Sequence, residues 1–167
     1  TPKISLRINP SNMKDYSSNN SLITTDNIFS INRLGLSESY ESGKTATIGI
    51  DYRRENSDNI EKFFEVKLAS VFRDTPEYKM PQSSSLQGKY SNLIGSIENQ
   101  FSENLSFDYN FSIDNDFNSI EHNDLKTEFK TNNFVTEFHF HESNGKVGNS
   151  NYLSNETSLN LNDNNSL

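Results

Sequence analysis

His139 and His141 stand two apart in an alternating run, and on a β-strand that spacing turns both imidazoles and the Glu137 carboxylate to one face. Two imidazoles and a carboxylate are a donor set for a transition metal. The plainer alternative is the polar side of a strand. With only one further histidine, His122, and no group evident to orient the rings, no metal site is expected. Asp114-x-Asp116-x-Asn118 opens like a calcium loop, but Ser119 stands where the turn needs glycine and Leu125 where a bidentate glutamate belongs. The segment reads as a solvated acidic loop, to which Glu121 and Asp124 add charge. Nucleophilic chemistry has less support still. The chain has no cysteine, no G-x-S-x-G elbow and no phosphate-binding G-x-x-x-x-G-K-[ST]. No catalytic residue and no cofactor is expected, and the chain does not read as an enzyme.

One other constellation is distinctive. Asn32-Arg33 is followed by Glu38 and Glu41, with Gly35 and Gly43 nearby to give the backbone freedom to turn. Arg33 is expected to pair with Glu38 or Glu41. On a surface such a pair contributes little, whereas a desolvated pair pins a loop firmly.

The elements that must position these groups come from composition and period. Hydrophobic residues make up 31% of the 167 residues, well below the roughly 45–50% of an average globular domain. Asn and Ser number 25 each, and the net charge is −8. An acidic chain repels polyanions, so nucleic acid is not an expected partner. No run of 18 apolar residues occurs, and no apolar segment opens the chain after Thr1.

Alternation with period two is the dominant signal. From Leu105 to Asp114 every odd position is apolar and every even one polar. The same pattern runs through Ile4, Leu6 and Ile8; Ala46, Ile48, Ile50 and Tyr52; Phe64, Val66, Leu68 and Phe72; Leu93, Gly95 and Ile97; Leu125 and Phe129; Phe134, Phe138 and Phe140; and Thr157, Leu159 and Leu161. About nine strands are expected, near 3–9, 27–34, 45–53, 62–73, 87–99, 105–114, 120–131, 134–142 and 152–161. Long polar joints fall at 11–27, 74–85, 115–123 and 142–151, with short turns at Gln100–Asn104, Thr131–Asn133 and Asn162–Asn165.

The expected fold is all-β, an antiparallel meander. Alternating short and long joints, and strands of about 9–11 residues, are the pattern of a transmembrane β-barrel. Such a barrel needs apolar residues on its lipid side only, which suits a chain this polar. A soluble antiparallel sheet with one wet face gives the same alternation. The chain's ends suggest an internal piece of a larger barrel, with 1–167 as one partial barrel domain.

Phe29-Ser30-Ile31-Asn32-Arg33, then Glu41-x-Gly43, then Ala46-x-Ile48-Gly49-Ile50-x-Tyr52 resembles the barrel segment of the LptD family of lipopolysaccharide-assembly proteins. Thr1-Pro2-Lys3-Ile4 through Pro10 is similar to the family's segment just upstream. Val66–Arg73 is similar to its next strand, and Lys89–Gly95 to a later one. The chain departs from the family at Glu38-Ser39 and at Ala69-Ser70. The resemblance implies a large outer-membrane barrel in a Gram-negative bacterium, carrying no catalytic chemistry. Asn32, Arg33, Glu41, Gly43, Gly49 and Tyr52 would be structural motif residues. It further implies lipopolysaccharide as cargo, an LptE-type plug lipoprotein, outer-membrane lipid, and a periplasmic transport bridge reached through a separate N-terminal domain. Alternatives are another outer-membrane barrel such as a porin or passive channel, or a soluble β-rich binding or adhesive protein.

Overall fold

The computed structural model describes residues 1–145, 148–162 and 165–166. Eight long strands run in chain order as one antiparallel meander: β1 (Pro2–Asn9), β2 (Gly43–Glu55), β3 (Phe63–Arg73), β4 (Leu93–Ser102), β5 (Leu105–Ile113), β6 (Ile120–Lys130), β7 (Phe134–Gly145) and β8 (Gly148–Asn162). A two-residue β9 (Asn165–Ser166) follows. Each strand pairs only with its sequence neighbours, so the sheet is open, with β1 at one edge.

The register turns the sequence pattern into two faces. Tyr52, Val66, Ile97, Tyr109, Leu125, Phe140 and Leu153 are successive cross-strand partners, forming one apolar row across β2–β8. The row beside it is Asp51, Lys67, Ser96, Asn110, Asp124, His141 and Tyr152, which point the other way. Because a slip of one residue would exchange the faces, side-chain chemistry fixes the register strongly.

Two long segments, residues 10–42 and 74–92, fold back over the polar side of β1–β4. They bring Met13, Ile23, Ile28, Leu34, Leu36, Met80 and Leu86 onto Ala69 and Val71 of β3 and Ile94 of β4. Burying each large apolar side chain contributes about 1.5–3 kcal/mol. This small core lies between the loop layer and the sheet.

Several expectations are corrected here. Residues 27–34 form consecutive turns rather than a strand. The Asn27 side chain accepts from the Thr24 N–H (2.9 Å), the Ile28 N–H donates to the Thr24 carbonyl (3.0 Å), and the Gly35 N–H to the Asn32 carbonyl (3.1 Å). Asn side chains compete for backbone partners and close turns, while Ile28 is drawn wholly into the core and Ile31 stays exposed. The loop expected at 11–27 therefore extends to 42. The strand expected from 87 begins at Leu93, because Ser91 Oγ takes the Val71 N–H at 2.9 Å and interrupts the ladder. The loop expected at 74–85 runs on to 92 and holds a 3₁₀ turn at Gln82–Ser84. β6, Ile120–Lys130, stands where the strand near 120–131 is expected, so the joint expected at 115–123 ends at Ser119.

The joint expected at 142–151 is mostly strand, since polar Glu142, Ser143, Asn144 and Gly145 pair in register with Asn151, Ser150, Asn149 and Gly148. An all-polar ladder carries no alternation to reveal it. Lys146 and Val147 of that joint, Asp163 and Asn164 of the turn expected at Asn162–Asn165, and the Leu161 side chain lie outside the described residues.

Candidate functional site

Three arginines converge on one carboxylate between the sheet and the loop layer. Arg7 lies on the polar side of β1, Arg73 ends β3, and Arg33 and Glu41 come from the segment between β1 and β2. Glu41 Oε1 accepts from Arg33 Nη2 and Arg73 Nη1, each at 2.5 Å. Its other oxygen accepts from Arg33 Nε and Arg7 Nη1, each at 2.7 Å. Arg33 thus grips the carboxylate with two parallel bonds, the geometry in which a guanidinium is strongest.

Further guanidinium donors are matched as well. Arg33 Nη1 reaches Thr47 Oγ1 at 3.0 Å, Arg73 Nη2 the Ser42 carbonyl at 2.6 Å, and Arg7 Nη2 the Ser30 carbonyl at 2.6 Å. The side chains of Arg33 and Arg73 are 1% exposed and that of Glu41 3%, so this is a desolvated network in which removing one member strands the others. Its chemistry is mechanical. Three chain positions, Arg7 on β1, Arg73 on β3 and Arg33 in the turns at 27–35, are tied to the one carboxyl group of Glu41. No side chain in it is poised as nucleophile or proton carrier.

The sequence motif residues mostly gather around this network. Asn32 closes its turn by accepting from the Leu36 N–H and donating to the Leu36 carbonyl, both at 2.9 Å. Gly43 has a φ of +85°, a conformation glycine adopts without strain, and sits against the Arg73 guanidinium. At Gly49 a Cβ would meet the Leu68 carbonyl at 2.8 Å and the Phe29 ring at 2.9 Å, so the bare backbone lets Phe29 lie on the sheet. Tyr52 is not part of the gathering and lies half-exposed in the apolar row. Arg33 pairs with Glu41, and Glu38 instead pairs with Lys14. Sequence reasoning missed Arg7 and Arg73. Their only signal is position, since both occupy the polar parity of apolar alternating runs, Arg7 between Leu6 and Ile8 and Arg73 after Phe72.

Among the described residues, the other face is uncovered from β1 to β8. Ile4, Leu6 and Ile8 of β1 and Leu153 of β8 are each more than 70% exposed, and Ile48, Ile50, Tyr52, Phe64, Phe72, Phe129, Phe138 and Phe140 are exposed as well. On this face Gly95 leaves room for the ring of its cross-strand partner Phe111, which stacks on Tyr109 at 5.4 Å. A patch so large and contiguous marks a surface that contacts something apolar. The apolar band ends in a polar cross-strand set, Asn123, Glu142 and Asn151, where Asn123 accepts from the Tyr109 hydroxyl at 2.6 Å and donates to Glu142 at 3.0 Å.

The two smaller sequence constellations come out differently. In the turn at 114–119, Asp114 Oδ1 accepts from the N–H groups of Asn118 (2.7 Å) and Ser119 (3.2 Å), so its carboxylate closes the loop on the backbone. Asp116 takes no part in those bonds. His139 and His141 share a face with Glu137, but Glu137 stands opposite Glu128 and Glu156, while both imidazoles turn to Asp124 of β6. Comparison of the chain with family models, curated proteins and solved structures gives no match.

Proposed function

We propose that the chain forms part of the wall of an outer-membrane β-barrel that moves lipopolysaccharide, in the manner of the LptD family. The observation that carries the reading is the uncovered apolar face, continuous in register from β2 to β8, set against a polar opposite face. In a barrel wall the first would meet lipid and the second a hydrated lumen. Strands of 9 to 11 residues, such as β5 with 9 and β6 with 11, are long enough to cross a bilayer when tilted. The open sheet edges suit a segment that closes only with further strands.

The loop layer supports the transport half of the proposal. Residues 10–42 and 74–92, locked by the Arg33–Glu41–Arg73 network, would line the lumen as a fixed inner shelf. Beyond it, the Asn-, Ser- and Asp-rich face of β5–β8 would offer hydrogen bonds to the sugars of lipopolysaccharide. The partners are then outer-membrane lipid, lipopolysaccharide, an LptE-type plug lipoprotein, and the periplasmic bridge that delivers the cargo. The role is non-catalytic.

The chain has no cysteine, so single spin-labelled cysteines can be placed from Leu105 to Asp114 in the full-length protein in membranes. Preference for oxygen at odd positions and for a polar nickel reagent at even ones is expected. Nickel access on both faces, or odd positions shielded from both reagents, would remove the membrane wall and lipopolysaccharide transport together. Alternation as expected but no photocrosslink to lipopolysaccharide from the even positions would leave a barrel of another kind.

A further inference from the structure

All three of the chain's histidines gather at one carboxylate on the polar face. His122 and Asp124 lie two apart on β6, and the register sets His141 of β7 opposite Asp124. One ligand atom each from His122, Asp124 and His141 lie within 4.8 Å of one another. Asp124 Oδ2 is 3.0 Å from His141 Nδ1 and 2.9 Å from His139 Nε2. The His122 ring meets the His141 ring edge-on, with centroids 5.0 Å apart. Tyr152 of β8 stacks on His141 at 5.0 Å and holds that ring in place.

A face that is merely polar would give each buried donor and acceptor a partner. His122 Nδ1 is buried and has none among the described residues, and a nitrogen of the same ring lies within 4.8 Å of ligand atoms of Asp124 and His141. We propose that His122, Asp124 and His141 bind a divalent transition-metal ion of the zinc, nickel and copper class, with His139 as the positioning residue that holds Asp124. Two imidazoles and one carboxylate suit these ions. Calcium and magnesium, which take oxygen ligands, are disfavoured. Bonds of about 2.0–2.1 Å put neighbouring ligand atoms about 3.3 Å apart in a tetrahedral site, a closure that small ring and carboxylate rotations supply.

Three protein ligands leave at least one position for water or an anionic group, on the side of the cavity lined by Asn20, Leu22, Ser83 and Ser143. The ion would staple β6 to β7 in the half of the sheet where no described residue after Ser96 is fully buried. This inference does not depend on the membrane reading, since the cluster arises from strand register alone.

The test uses the full-length protein in detergent micelles, purified without a polyhistidine tag and stripped with a chelator. Calorimetric titration with Zn²⁺ is expected to show a binding equivalent that His122→Ala and His141→Ala each abolish or weaken at least tenfold. His139→Gln should weaken it about 10- to 100-fold, as loss of a group that orients a ligand does. Cu²⁺ bound to the unaltered protein should show electron-spin coupling to two imidazole nitrogens, a readout independent of any variant's folding. His139→Gln should retain both couplings, and His122→Ala should lose one. Zn²⁺ affinity unchanged by both alanine variants, no binding equivalent at all, or Cu²⁺ coupled to fewer than two nitrogens would overturn the site.

Discussion

Strands β1–β4 and β5–β8 obey one alternation and present one continuous apolar face, yet their other faces are built differently. Over β1–β4 the polar side is roofed by residues 10–42 and 74–92, which bury Ile28, Met80 and Leu86 completely and enclose the Arg33–Glu41–Arg73 network. Over β5–β8 the roof reaches one end, where Asn92 donates to Ser112 and Glu121 and where Leu22 and Ser83 line the cavity beside His122. Further along, the polar side carries side chains bonded to one another, Asp108 with Asn110, and Asp124 with His139 and His141. No described residue beyond Ser96 is fully buried. A sheet needs something to hold it flat against fluctuation. The first half has a packed core, while the second depends on its ladder bonds and whatever meets its two faces.

Removing Glu41 should expose this difference most sharply. Glu41→Ala leaves three arginines facing one another in a desolvated space and should cost about 3–5 kcal/mol, as breaking a buried ion pair does. Asp124→Asn in the second half leaves imidazoles whose side chains are 19% exposed and within reach of water, and should cost about 1 kcal/mol in metal-free protein. Urea unfolding midpoints of the two variants, compared at unchanged slope, measure both. Equal losses would mean that the roof is not what anchors β1–β4.

Truncating the roof comes next. Leu86 is wholly buried under the loop layer, so Leu86→Ala should cost about 2–5 kcal/mol through lost transfer energy and the cavity left behind. A cost near 0.5 kcal/mol in the same melts would show the roof lying loosely on the sheet.

What the sequence revealed follows the same division. The β5 alternation is the cleanest in the chain, and that strand is where it was expected, at Leu105–Ile113. Each strand's apolar parity is readable by itself, and antiparallel pairing of sequence neighbours then aligns the faces. The roof is far less legible. Met13, Ile23, Ile28, Leu34, Leu36, Met80 and Leu86 recur with no fixed period, because loop residues are buried by tertiary contact and not by a repeating backbone geometry. The run at 27–34 misleads for that reason. Its Ile and Phe suggest a strand, but Asn27 and Asn32 close turns that send Ile28 inward and Ile31 outward. The Arg33–Glu41 pair was visible as a possibility, whereas Arg7 and Arg73 join it only through the β1–β2–β3 register. The histidine cluster was half visible in the same way. His139 and His141 are neighbours by spacing, but Asp124 and His122 enter from β6, and the expected companion Glu137 does not.

A milder probe of the roof is the close approach at Gly49. A methyl group there meets backbone and the Phe29 ring within 3 Å, so Gly49→Ala should cost about 1–3 kcal/mol as overpacking. Gly145 in the second half has nothing among the described residues within 4 Å of the corresponding position, and Gly145→Ala should stay within about 0.5 kcal/mol. The pair tests crowding against openness with one chemical change. A tolerated Gly49→Ala would place Phe29 off the sheet.

The finest division lies inside the network itself, between two threonines on the same side of β2. Thr47 Oγ1 accepts from Arg33 Nη1 at 3.0 Å, whereas the equally buried Thr45 Oγ1 has no partner among the described residues. Thr→Val exchanges a hydroxyl for a methyl at nearly constant volume, so the hydrogen bond decides its sign. Thr47→Val leaves a buried guanidinium N–H unmatched and should destabilise by about 1–3 kcal/mol. Thr45→Val removes an unmatched hydroxyl and should be neutral or stabilising by up to about 1 kcal/mol. Opposite signs in parallel melts would show that the roof is anchored by specific bonds to Arg33. Two equal losses would instead mean that both hydroxyls are matched in solution and that water reaches the network, which would bring the first half of the sheet closer to the second.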